Sequence, residues 1–200
     1  MASKLDLTKE YKQYYNAKNA LIFLEFGNVP YVTIEGKGEP AGEAFTKAIE
    51  ALYPLAYGIK ANYKKLGKDF GVPKLEGLWW VKSNKPFLDI PRKEWYWKLL
   101  IRMPNFVTSE TFKNAKEEVF KKKGISLIKE IKFENKNEGK CVQIMHIGPY
   151  STEQKTIEHM MDFIKKNNYS INGLHHEIYI SDPRKTATAK MKTILRLPIK

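Results

Sequence analysis

Two hundred residues, 42% apolar and 12% aromatic, are enough for one domain of ordinary size or two small modules in one body, and argue against a disordered chain. The formal charge is +13, from 35 Lys and Arg against 22 Asp and Glu, but the basic residues are scattered, and the densest run, Lys121-Lys122-Lys123, shares its helix with Glu117 and Glu118. That is the pattern of a solvated face, so nucleic acid is expected as a non-specific partner at most. A single cysteine, Cys141, excludes an intramolecular disulfide and a cysteine zinc cluster, and no run approaches the about 18 apolar residues of a membrane span. With no apolar signal stretch at the N-terminus either, a cytoplasmic protein without a membrane partner is expected.

In chain order, residues 4–19 read as a short polar helical arm, with Tyr11, Tyr14 and Tyr15 packing onto the body. Residues 29–38 alternate as a strand ending in Gly36-Lys37-Gly38. No dinucleotide or phosphate-loop pattern follows, so those glycines serve backbone geometry. A helix over about 41–62 buries Phe45, Ala48, Ile49, Leu52 and Leu55, and Pro54 is expected to kink or divide it. Strands follow at 75–81 and 95–103, separated by a connection over 82–94 that is long enough to cover a site.

A helix over 108–123, capped by Thr108 or Ser109, ends at Gly124 with its basic turn suited to the helix dipole. The spacing then predicts a strand at 127–133, a turn at 135–139 and a strand at 141–147. A helix from Ser151 or Thr152 to about Asn167 turns Ile157, Met160, Met161 and Ile164 inward, and strands at 174–181 and 191–197 close the chain.

The halves repeat as strand–helix–strand–strand. Leu100-Ile101-Arg102-Met103-Pro104 is echoed by Ile194-Leu195-Arg196-Leu197-Pro198. Such a repeat predicts a pseudo-symmetric body with a ligand cleft where the units meet.

On the strand at 174–181, Ile178 and Ile180 share one face while His175, Glu177 and Tyr179 share the other. An imidazole, a carboxylate and a phenol on one face mean either solvent or a site. Trp79 and Trp80 point to opposite faces, so at most one lines a cleft; Trp95 and Trp97 share a face. The four histidines lack metal-ligand spacing, Cys141 has no histidine partner in sequence, and no serine-hydrolase elbow occurs. No metal and no cofactor is expected.

Leu75-Glu76-Gly77-Leu78-Trp79-Trp80, His146-Ile147-Gly148-Pro149-Tyr150, the stretch Gly173 to Arg184, and Lys192 to Pro198 together carry a resemblance covering roughly 4–200. The chain resembles the GyrI-like small-molecule-binding family, and among its members the free-standing bacterial ones without a DNA-binding segment. The resemblance implies an α+β fold of tandem strand–helix–strand–strand modules, with helices on one side of the sheet and a groove with an acid at its bottom, the position of Glu177. It divides the chain into an arm, 1–28, and a domain, 29–200, with modules at about 29–106 and 138–200 joined by 107–137. Relatives bind cationic or aromatic drugs, one is named for inhibiting DNA gyrase, and some free-standing members open the cyclopropane of duocarmycin- or yatakemycin-type DNA alkylators.

Two principal functions follow as expectations. In the first, the protein is a detoxifying hydrolase: Glu177 acts as general base on water, and Tyr179, with Tyr150 next, donates to the phenolate that forms. Trp79 or Trp80, Trp97, Tyr150 and His175 then contact a flat aromatic ligand. In the second, the same groove holds cationic or aromatic compounds without turnover, as a sensor or sink. A nucleic-acid- or gyrase-associated role is the remaining alternative.

Overall fold

The computed structural model describes residues 4–85 and 89–200. Six antiparallel strands close into a barrel in the order β1-β3-β2-β5-β6-β4, with β1 at Ile22–Lys37, β2 at Leu75–Trp80, β3 at Tyr96–Arg102, β4 at Lys132–Ile147, β5 at His175–Tyr179 and β6 at Lys192–Pro198. Each half is one strand–helix–strand–strand unit. The helices are α3 (Glu43–Lys65) in the first half and α5 (Glu153–Lys166) in the second, and α4 (Ser109–Lys123) packs on α3. The halves meet twice, along the long strands β1 and β4 and again where the short strands β2 and β5 pair. Helices therefore cover one side of the sheet, as expected, and closure makes the other side a barrel lumen.

The long strands correct the expected turn at 135–139. Asn135 to Gly139 stay in the ladder opposite Phe26 to Pro30. The Asn137 side chain accepts from the Gly139 amide at 2.9 Å and Gly139 takes a φ of 61°, so the turn chemistry is absorbed as a local distortion inside a continuous strand. The strand expected at 127–133 is a 3-10 turn, Ser126–Glu130, leading into β4.

β1 begins at Ile22, and the expected helical arm contains two single turns, α1 (Leu7–Glu10, capped by Asp6) and α2 (Lys12–Tyr15). Pro54 does not divide α3, because buried Ala51, Leu52, Leu55 and Ala56 pin the helix on both sides of it. Thr108 caps α4 through the Thr111 amide, whereas the Thr152 hydroxyl donates to the Pro149 carbonyl and leaves α5 without a side-chain cap. Met161, expected inward, is exposed, while Met160 and Ile164 bury against Val142, Ile144, Leu195 and Leu197.

The lumen holds Tyr31, Leu78, Leu100, Met145, Ile178 and Ile194, together with Leu7, Tyr14 and Tyr15 from the arm. It also holds a buried polar network. His176 places Nδ1 2.9 Å from Glu138 Oε1 and Nε2 2.9 Å from Glu76 Oε2, and Arg196 bonds both Glu138 and Gln143. Burial pushes the Glu138 carboxyl upward, but His176, Arg196 and Lys136 outweigh it and hold the group well below the usual carboxylate range. The repeated arginines, Arg102 and Arg196, both lie over the ring of Tyr14, at 4.7 and 4.2 Å from its centroid.

Candidate functional site

Alternation along β5 sends His176 and Ile178 into the lumen and His175, Glu177 and Tyr179 to the helix-covered side. There Glu177 sits between its ladder partners Gly77 and Leu195. Toward β2, Trp79 stacks on Phe45 of α3 at 5.7 Å; toward β6, Leu195 belongs to the apolar cluster under α5. The carboxylate thus lies at the seam between the two helix-covered halves, with its side chain 12% exposed.

The Tyr179 hydroxyl donates to Glu177 Oε2 at 2.8 Å and accepts from Trp79 Nε1 at 3.1 Å. His175 Nε2 lies 3.2 Å from Glu177 Oε1. An ionised carboxylate only accepts, so Nε2 carries a proton and Nδ1 is left buried without a partner among the described residues. Burial, then the Glu177 charge, holds the Tyr179 phenol well above its ordinary value, so it stays neutral. The arrangement requires a glycine opposite the acid. A Cβ on Gly77 would lie 2.7 Å from the Tyr179 hydroxyl, closer than packed atoms allow, and a tight 3.0 Å from Trp79 Nε1.

Two further groups complete the wall. Tyr150 meets Tyr179 edge to face at 5.9 Å, and burial, followed by the charges of Glu153 and Glu177, pushes its hydroxyl up to about 12. Glu153, in the first turn of α5, is 6% exposed and interacts with Thr193, the cross-strand partner of Tyr179. Burial first, and then the Glu177 charge, raises its carboxyl to about 9 against the opposing pull of Thr193 and Arg92. Glu153 therefore keeps its proton at neutral pH.

Sequence reasoning missed Glu153. A glutamate at a helix start reads as an ordinary partner for the helix dipole, and only the fold reveals that it is buried beside β5 and β6.

Of the residues expected here, Glu177, Tyr179, His175, Trp79 and Tyr150 come together. Trp80 points the other way and stacks on Tyr96 at 5.8 Å. Trp97 is 2% exposed and packs edge-on to Phe45 in the α3 core, one strand removed from the acid. Both take the core or surface fate that the strand period allowed them. The connection over 82–94 reaches the site through Arg92, which acts on Glu153, and Trp95 just after it meets Trp79 edge to face at 5.9 Å. Its residues 86–88 lie outside the described ones.

His146 bonds Thr156 at 2.9 Å, and burial pushes the Cys141 thiol up to about 12, which leaves it unreactive. Among the described residues no group of three His, Cys, Asp or Glu is arranged to hold a metal ion, and no helix is long and apolar enough to cross a membrane.

A pseudo-two-fold α+β barrel with a sheltered acid and aromatic edges at the seam of its halves has the build of a small-molecule binder. The chain belongs to the GyrI-like family: the GyrI-like small molecule binding domain matches residues 22–200. Among solved structures it is similar to an uncharacterized conserved protein from Listeria innocua, 39% identical with a TM-score of 0.91 over 98% of this chain and 100% of that one. It is also similar to two proteins from the same organism described as hydrolases. One is 37% identical with a TM-score of 0.89 over 99% of this chain and 100% of that chain. The other is 38% identical with a TM-score of 0.86 over 98% and 100%. No curated protein matches the chain.

Proposed function

We propose that the protein is a hydrolase that adds water across the cyclopropane of a flat aromatic genotoxin of the duocarmycin or yatakemycin type, with Glu177 as general base. The observation that carries this reading is the sheltered Glu177 carboxylate, oriented by Tyr179 and His175 and edged by Tyr150 and Trp79. Similarity to two described hydrolases supports the reaction class.

In this reading Glu177 takes a proton from water as the water oxygen bonds to the cyclopropane methylene. The strained carbon–carbon bond breaks, and its electron pair passes through the conjugated ring to the carbonyl oxygen, which becomes a phenolate. Tyr179 was the first choice from sequence for stabilising that oxygen, but its proton is engaged by Glu177, so it acts as a positioning residue. Tyr150, neutral up to about 12, takes the donor's part. The phenolate then takes up a proton and the base gives its own back, so the net change is addition of one water.

The second reading, a binding module without turnover, is favoured by the sheltered Glu177 carboxylate beside aromatic edges, which suits a flat cation.

One paired assay separates them. Wild-type protein incubated with a yatakemycin-type cyclopropane should yield a product heavier by one water in mass spectrometry. Glu177→Gln should still quench its tryptophan fluorescence on binding and lose about a hundredfold or more in turnover. Binding without water addition by the wild type establishes the module instead.

A further inference from the structure

Among the described residues four buried side-chain polar atoms have no hydrogen-bond partner: Trp97 Nε1, Arg102 Nε, Glu153 Oε1 and His175 Nδ1. Two of the four, Glu153 Oε1 and His175 Nδ1, belong to one place, the seam around Glu177. A buried polar atom left unpaired is destabilising, and where two belong to neighbours of one sheltered carboxylate a ligand's polar groups are the natural complement.

Glu153 is the more telling of the two. His175 has one nitrogen engaged by Glu177, whereas Glu153 has an entire carboxyl oxygen free while being 94% withdrawn from solvent (6% exposed). Its backbone is fixed by the first turn of α5, and its side chain is held toward β6 at Thr193, the ladder partner of Tyr179.

We propose that Glu153 is a further ligand-contacting residue of the Glu177 site, presenting its free carboxyl oxygen to a hydrogen-bond acceptor of an uncharged aromatic ligand. The proposal rests on the reading that ligands sit at Glu177, and adds a specificity to it. A neutral carboxylic acid donates through O–H, so the site accepts a carbonyl and disfavours an anionic ligand, which Glu177 also repels. The groups facing Glu153 leave it neutral at physiological pH: Glu177 from β5 opposes its ionisation, and Arg92 from the β2–β3 connection favours it without prevailing. Tyr150 from the preceding turn and Tyr179 from β5 remain neutral phenols. His175, the other polar group on that face of β5, is bonded to Glu177.

Fluorenone, a flat aromatic ketone that does not titrate, is a suitable probe, with quenching of tryptophan fluorescence as the readout. Wild-type affinity should be level to about pH 8 and fall about tenfold per pH unit once Glu153 ionises, above about pH 9. In Glu153→Gln, whose amide donates at every pH, the affinity should be level throughout. A level wild-type profile, an alkaline fall that survives in Glu153→Gln, or no saturable binding overturns the proposal. A measurement on the wild type alone guards against a variant that fails to fold. In carbon NMR of the side-chain carboxyls, fluorenone should move the Glu153 titration to higher pH, and an unmoved midpoint overturns the proposal. Turnover by Glu177→Gln is read separately. If it collapses while the fluorenone profile is unchanged by Glu153→Gln, Glu153 alone is refuted and the base at Glu177 stands.

Discussion

Replacing Glu153 by Gln should stabilise the folded protein, and the size of the gain should depend on pH in a way that only a buried neutral acid produces. The unfolded carboxyl ionises near its ordinary 4.5, the folded one near 9. Between those values the unfolded chain gives up a proton that the folded protein keeps. Stability of the wild type therefore falls as pH rises from about 4.5 and levels off above about 9. Glutamine has the same shape and never titrates, so it escapes this loss. At pH 7 the gap spans two and a half pH units at about 1.4 kcal/mol each, about 3 kcal/mol in favour of Glu153→Gln. The figure at pH 7 depends on the folded group being neutral there, not on where above pH 7 it titrates. Urea unfolding of both proteins at a series of pH values measures it: the midpoints should coincide near pH 4 and separate steadily to pH 8. In thermal unfolding at pH 7 the variant should gain roughly 6–12 °C. A gap that is the same at every pH refutes the reasoning, because it means that the folded carboxyl is already ionised.

Two more predictions concern the supports of the site. Gly77→Ala places a methyl 2.7 Å from the Tyr179 hydroxyl, which should pull Tyr179 off Glu177 and lower turnover by about tenfold or more while thermal unfolding shows the fold retained. Glu138→Gln leaves His176 and Arg196 buried with one anion fewer, at about 3–5 kcal/mol by urea unfolding. The folded Glu138 carboxyl is depressed, so its contribution is complete above about pH 4.5 and lost as pH falls through the lower folded value. Acid unfolding of the variant should lack that step.

The repeat, its helices and most strand positions were legible because hydrophobic periodicity and paired motifs encode them locally. Closure of the barrel was not. It depends on β1 and β4 being long enough to pair along their length, and Asn135 to Gly139 hid that behind residues whose local chemistry favours a turn. At the site, the period of two placed His175, Glu177 and Tyr179 together, and correctly allowed only one of Trp79 and Trp80 to join them. It could not tell Trp97 from a groove wall, since both Trp79 and Trp97 pack on Phe45 and Trp97 differs in lying one strand further from the acid, on β3, without a bond to Tyr179. Glu153 was invisible because burial of a helix-start glutamate is a tertiary fact.

The lumen network and the site are two sides of one constraint on register. In β5 the side-chain period is two, so a slip of one residue against β2 and β6 would carry Glu177 into the barrel and His176 out of it. His176 is bonded at both ring nitrogens by carboxylates from different strands, Glu76 of β2 and Glu138 of β4. A slip by one would bury the Glu177 carboxylate in the lumen, either in the His176 slot between Glu76 and Glu138 or in the apolar slot of Ile178, a far larger penalty than misplacing an aliphatic residue. The buried polar cluster thus fixes which face of β5 looks toward the helices, and with it the direction of Glu177. The two halves then differ where they meet. β2 contributes Gly77 opposite Glu177, and the first turn of α3 holds Glu43 in a solvent-exposed pair with Lys47, whereas that of α5 buries Glu153. One half supplies room and the other supplies acid, which is how a nearly symmetric barrel comes to hold an asymmetric candidate site.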